Sequence, residues 1–182
     1  ILFIKDPISL IISLIRLDGS VKNLCPLSTS TDKKDLMQLI TQEDFDTVIS
    51  DIEIDKLNEF TDQKLQFVNY NELDQIINNN SKHLKLNTDW LIPTSGTTSS
   101  PKLVRHKIHS IAASALSKVE QKISKKEIWG QFYDLTRYAG YQVLLNSLLN
   151  GHTLATSFQS EKISDRIQFF SEKQVTHISA TP

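Results

Sequence analysis

The run W-L-I-P-T-S-G-T-T-S-S-P-K at residues 90–102 joins an apolar segment to a loop of small hydroxylated residues that ends on a lysine. Trp90, Leu91 and Ile92 have the character of a buried strand. A loop that must hold a polyphosphate needs backbone N–H groups free to turn inward and small side chains that let the phosphates approach. It also needs hydroxyl donors and a cation. Thr94, Ser95, Thr97, Thr98, Ser99 and Ser100 supply six hydroxyls around Gly96, and Lys102 supplies the charge. Pro101 stiffens the exit by fixing its own φ. A polar surface turn would account for the serines and threonines. It would not account for an apolar strand delivering the loop, or for a single lysine directly after a proline. The run reads as a phosphate-gripping loop of an ATP-using protein.

It is not a Walker A loop. That motif requires G-x-x-x-x-G-K-[ST]. Here Gly96 is followed four residues later by S-P-K-L, so the second glycine and the hydroxyl after the lysine are both missing. A P-loop NTPase is disfavoured.

Outward from this run, segments of the two secondary-structure types alternate. Towards the N-terminus, Asp6 can cap a helix and Pro7 fits its first position. Ile8, Ile11, Ile12 and Ile15 are spaced to share one buried face, and Gly19 supplies the stop. Residues 23–31 read as a polar connector around Pro26, and residues 35–41 as a helix. Residues 47–49 and 65–68 read as short strands, with a charged, more helical stretch at 51–62 between them. Residues 71–77 suggest a short helix running into the polar loop N-N-N-S at 78–81. Towards the C-terminus, Leu103 and Val104 begin a new extended segment. Residues 110–122 form an amphipathic helix carrying Ile111, Ala115 and Val119 on one stripe. An apolar, aromatic run at 128–133 precedes a helix at 139–149, which Gly151 ends. Residues 153–155 are strand-like, 163–170 helical, and 175–180 a last strand. The alternation predicts an α/β fold with mostly parallel pairing.

Bulk properties narrow the function. The 182 residues are 39% hydrophobic and 23% charged, as in an ordinary globular protein. Twenty basic against twenty-one acidic residues give a formal net charge of -1, so no basic excess points to nucleic acid. Cys25 is the only cysteine, which excludes an internal disulfide framework or a cysteine zinc cluster and suggests a cytoplasmic setting. Lys5, Asp6 and Arg16 interrupt the apolar N-terminal stretch well short of the roughly 18 to 20 residues a membrane span needs.

The loop resembles the signature [ST]-S-G-[ST]-T-G-x-P-K-G of the adenylate-forming (AMP-binding) superfamily: acyl-CoA synthetases, peptide-synthetase adenylation domains and firefly-type luciferases. Ser99 stands where that pattern has glycine, and Leu103 where glycine follows the lysine. His106 matches a histidine often found just downstream in acyl-CoA synthetases, although a packing or surface role fits it equally well. Further on, D-L-T-R-Y-A-G at 134–140, Leu144, Leu145 and G-H-T-L at 151–154 resemble a region that helps wall the acyl pocket in relatives. V-T-H-I-S-A-T-P at 175–182 resembles the strand that follows it. The likeness covers residues 90–182 well and residues 1–85 loosely. It implies an N-terminal α/β segment at 1–86 and the core of an AMP-binding domain at 87–182.

The resemblance implies a two-step chemistry. A small carboxylic acid attacks the α-phosphate of ATP, giving an acyl-adenylate and pyrophosphate; a thiol of coenzyme A or of a carrier protein's phosphopantetheine arm then displaces AMP. Lys102 is the expected catalytic cation, acting with Mg²⁺. Thr94, Ser95, Gly96, Thr97, Thr98 and Ser99 are the expected nucleotide contacts, and Tyr138 and Gly140 weaker candidates for the acyl pocket. Arg137 could meet an acidic substrate group but fits a surface or capping role better. No side chain is assigned to metal binding. The family's Y-G-x-T-E and T-G-D motifs do not occur in these residues, so a fragment of a longer enzyme is expected. The alternatives are a non-catalytic remnant that binds nucleotide or a partner, and an unrelated α/β nucleotide-binding enzyme with a convergent loop.

Overall fold

The computed structural model describes residues 1–52, 65–74, 77, 87–94, 102–119, 126–159 and 161–180. The chain forms two compact units, Ile1–Lys107 and Ile108–Pro182. Residues 53–62 of the stretch expected as helical at 51–62 lie outside the described residues, as do the loop expected at 78–81 and residues 95–101.

The first unit contains β1 (Leu2–Phe3), α1 (Pro7–Leu17), β2 (Asn23–Leu24), α2 (Lys33–Gln42), β3 (Thr47–Ser50), β4 (Gln66–Asn69), β5 (Asp89–Thr94) and β6 (Lys102–Lys107). β3 pairs in parallel with both β1 and β4. β5 pairs in parallel with β2 and antiparallel with β6. The antiparallel rung follows from chain length: seven residues separate Thr94 from Lys102, and a parallel return needs a crossover of about a dozen or more.

Two expectations are corrected here. The connector at 23–31 is not simply polar surface: it contributes β2, and Leu24, Cys25 and Leu27 are buried. Leu2 donates to Cys25 O and Leu27 donates to Leu2 O, which draws this segment into the core beside β1.

Helix α1 starts as expected. Asp6 Oδ2 accepts from Ser9 N, and Pro7 is the first residue. Its buried face, however, is Leu10, Ser13, Leu14 and Leu17, whereas Ile8, Ile12 and Ile15 are exposed. The helix carries two apolar stripes, and periodicity alone cannot choose between them. The ends hold the helix in place: Asp51 accepts from Lys5 N and Asp6 N at one, and at the other Gly19 N donates to Thr88 Oγ1. Ser13 satisfies its buried hydroxyl by donating to Ser9 O.

The second unit contains α3 (Ile108–Val119), β7 (Ile128–Gln131), α4 (Tyr138–Leu149), β8 (Thr153–Thr156), α5 (Ile163–Glu172) and β9 (His177–Ile178). Its sheet runs β8-β7-β9, parallel throughout. Ile111, Ala112 and Ala115 of α3 and Tyr141, Val143 and Leu144 of α4 are buried, and Gln142 Nε2 of α4 donates to Ile111 O of α3. Gly151 ends α4 with φ of 68°, the left-handed conformation that favours glycine. β9 is shorter than the expected 175–180, because only His177 and Ile178 find partners on β7. Thr176 N still donates to Ile128 O just before it.

Candidate active site

Thr94 is the last residue of β5 and Lys102 the first of β6, and they are register partners. The Thr94 hydroxyl donates to Lys102 O at 3.2 Å. Both ends of the 95–101 segment are therefore fixed on one rung. Strand alternation then sorts the side chains of β6. Leu103 packs against the core cluster that includes Leu91, Cys25 and Val48, so Lys102, Val104 and His106 face the opposite side. Lys102 is exposed and makes no ion pair among the described residues. His106 lies opposite Trp90, four residues from Lys102 and about 13 Å along the strand. Ser95, Gly96, Thr97, Thr98 and Ser99 lie outside the described residues.

An ionic brace secures this hairpin. Arg105 donates to Asp89 Oδ2 at 2.8 Å, to Asn23 Oδ1 at 3.0 Å and to Glu43 Oε2 at 2.5 Å. Lys107 Nζ lies 2.5 Å from Asp89 Oδ1. Edge strand β6 is thereby tied to β5, to β2 and to the C-cap of α2. Its hydrogen bond from Lys107 holds the Asp89 carboxyl below the usual carboxylate range; burial opposes this, and Arg105 reinforces it.

Tyr138 and Gly140 belong to the second unit. They occupy the first turn of α4, directly after the loop that leaves the carboxyl end of β7, the edge at which open α/β sheets bind ligands. Tyr138 is 44% exposed. Gly140 is buried so tightly that a Cβ there would lie 2.0 Å from Asp134 O. Arg137 holds the N-cap position of α4, yet its side chain makes no capping hydrogen bond. Thr94 and Lys102 are thus brought together within one unit, and Tyr138 and Gly140 within the other.

Two polar residues that the sequence reading passed over are buried beside this second region. Gln131 ends β7, and Arg166 sits within α5. The signal for Arg166 is its spacing: it precedes the buried Phe170 by one helical turn, on the inward stripe.

Helices alternating with parallel and mixed sheets in both units define an α/β fold. A model of the family described as AMP-binding enzyme matches residues 15–182, and the chain belongs to that family. It is similar in fold to o-succinylbenzoate CoA synthetase (MenE) from Bacillus subtilis in complex with the acyl-adenylate intermediate OSB-AMP. That match has a TM-score of 0.76 at 19% identity and covers 98% of this chain and 48% of that one. The same enzyme in complex with ATP and magnesium ion gives a TM-score of 0.72 at 15% identity, covering 97% and 48%. The N-terminal subdomain of NpsA from Klebsiella oxytoca, in complex with 3-hydroxyanthranilyl-AMSN, gives 0.75 at 17%, covering 97% and 45%. The chain thus spans about half the length of these solved relatives. No curated protein sequence matches it. Among the described residues, no helix is long and apolar enough to cross a membrane.

Proposed function

We propose that the chain carries the ATP-gripping portion of an enzyme that activates a small carboxylic acid as its acyl-adenylate. The observation that carries this reading is the Thr94–Lys102 rung, which fixes both flanks of a hydroxyl-rich segment around Gly96 and leaves the lysine exposed. Adenylation brings one anion against another, since a carboxylate must attack the α-phosphate. Lys102 would screen the β- and γ-phosphates and stabilise the departing pyrophosphate. Ser95, Gly96, Thr97, Thr98 and Ser99 would add hydroxyl and backbone N–H donors. The Thr94 hydroxyl hydrogen is directed to Lys102 O, so Thr94 would serve chiefly to hold the mouth of the loop.

Mg²⁺ fits this donor set as a companion of the nucleotide, because it binds through substrate phosphates and water more readily than in an all-protein cage. It would supply charge neutralisation at those phosphates. Tyr138 and Gly140 would wall the acyl group. The subsequent acceptor would be a thiol, of coenzyme A or of a carrier protein's phosphopantetheine arm. Membership of the AMP-binding family and the likeness in fold to o-succinylbenzoate CoA synthetase support this reading over a non-catalytic remnant.

The test is acid-dependent exchange of pyrophosphate into ATP by the full-length protein. The acids would be benzoate, 3-hydroxybenzoate, 3-hydroxyanthranilate, o-succinylbenzoate, hexanoate and dodecanoate. Exchange that requires one of these acids supports the assignment. ATP binding without exchange on any of them would favour the remnant.

A further inference from the structure

Arg166 is 5% exposed and, among the described residues, has no carboxylate partner within hydrogen-bond reach. Its guanidinium instead donates to four neutral acceptors. Two are backbone carbonyls at the end of β7, Gln131 O at 3.0 Å and Phe132 O at 2.7 Å. The others follow β8: Ser157 Oγ at 3.2 Å and Gln159 Oε1 at 3.2 Å. The group also lies 4.7 Å from the centroid of the Phe132 ring. Burial pushes its pKa down, with the charges of Glu161 and Asp134 opposing. A buried cation whose hydrogen bonds go to neutral acceptors costs stability, and α5 could have placed an apolar residue beside Phe170 instead.

A second costly residue touches the same loop. Gln131 is fully buried, and its Nε2 donates to Tyr133 O at 2.7 Å and to Gly140 O at 3.3 Å. These two bonds fix the amide orientation and leave Oε1 buried with no hydrogen-bond partner among the described residues. Gln159 closes the circuit, since its Nε2 donates to Tyr133 O at 3.3 Å while its Oε1 accepts from Arg166. A continuous set of bonds therefore runs from α5 through the 132–137 loop to the first turn of α4. Within the loop, Asp134 Oδ1 accepts from Thr136 N and Thr136 Oγ1, each at 2.8 Å.

We infer that Arg166 is a positioning residue for acid recognition: with Gln131 and Gln159 it holds the 132–137 loop and the α4 turn bearing Tyr138 and Gly140 in one geometry. This inference rests on the proposed reading of that turn as a wall of the acyl site. The retained cost is then the cost of preorganisation, which a merely stable fold would not need. Misplacement of a substrate-positioning wall by about 1 Å can lower rates by about a hundredfold.

The test measures ATP–pyrophosphate exchange by the full-length protein, using whichever acid of the panel above supports it. Arg166→Met keeps the bulk and removes the donors; Gln159→Leu, at an exposed site, breaks the circuit without disturbing the core. Arg166→Met should raise the KM for the acid by about tenfold or more while the KM for ATP stays within about twofold, and Gln159→Leu should shift it the same way by less. Amide hydrogen exchange at residues 132–137 should accelerate in both variants, with the strands of the second unit protected as before. Unchanged acid KM in both variants, or acid and ATP KM rising together, would overturn the positioning role. If Arg166→Met fails to fold, Gln159→Leu alone decides by the same criterion. Failure of the unsubstituted protein to exchange with any acid would instead overturn the adenylation reading itself.

Discussion

Thr94 and Lys102 stand opposite each other on one rung of the β5–β6 ladder, joined by a 3.2 Å hydrogen bond from the Thr94 hydroxyl to the Lys102 carbonyl oxygen. The segment between them begins and ends on a sheet that β2, α2 and the Arg105 brace hold in place. If the segment between them takes the phosphates as proposed, it would meet them with both flanks already ordered, which lowers the entropy cost of binding.

Helix α1 offers a direct test of the buried face. Leu14 is fully buried, whereas Ile15 is 58% exposed. Leu14→Ala should cost about 2–5 kcal/mol and Ile15→Ala within about 0.5 kcal/mol, read from denaturant midpoints. The reverse order would restore the isoleucine face that periodicity suggests.

Gly140 has no room for a methyl group, because the obstruction is the Asp134 backbone and not a movable side chain. Gly140→Ala should destabilise the protein by about 1–3 kcal/mol or more, with the 132–137 loop displaced. Thermal unfolding of the two proteins measures it. An unchanged midpoint would contradict the close approach of α4 to this loop.

The Asp89 brace should weaken in acid. A carboxyl held below its ordinary value contributes stability that is complete above the unfolded pKa of about 3.9, and that is lost as pH falls through the lower folded value. Asp89→Asn should therefore lose about 1 kcal/mol at pH 6, and the difference should shrink towards zero below about pH 4. Urea unfolding across this range measures it. A difference independent of pH would show that packing, and not the Lys107 and Arg105 bonds, is what Asp89 supplies.

Cys25 is fully buried, and burial pushes its thiol up to about 12. Alkylation by iodoacetamide at pH 8 should be slower in the folded protein than in the unfolded chain by roughly three orders of magnitude. Labelling of the folded protein at the rate of a free thiol would contradict the placement of 23–27 in the core.

Much of this architecture is legible in the sequence because local and tertiary signals agree there. The strand at 90–92, the helices at 33–42, 108–119 and 138–149, and the Gly151 stop all have periodicity or turn chemistry of their own. The seven residues between Thr94 and Lys102 already dictate an antiparallel return. What stays hidden depends on packing. β1 and β2 are two residues each, too short to show alternation. The two stripes of α1 are both apolar, so only the contacts of Leu10, Leu14 and Leu17 distinguish them. Arg166 gives no inward signal by residue type, because arginine is rarely fully buried; its four carbonyl, hydroxyl and amide acceptors and the Phe132 ring make its position tolerable.

The central claim is that residues 94–102 hold the phosphates of ATP during activation of an acid. Its most direct test compares acid-dependent ATP–pyrophosphate exchange by the full-length protein with that of Lys102→Ala. Lys102 is exposed at the start of β6, so the substitution should leave the unfolding midpoint nearly unchanged. Exchange should fall by about 10²–10³-fold, as for loss of one preorganised charge-stabilising group. Undiminished exchange by a folded Lys102→Ala protein would contradict the account.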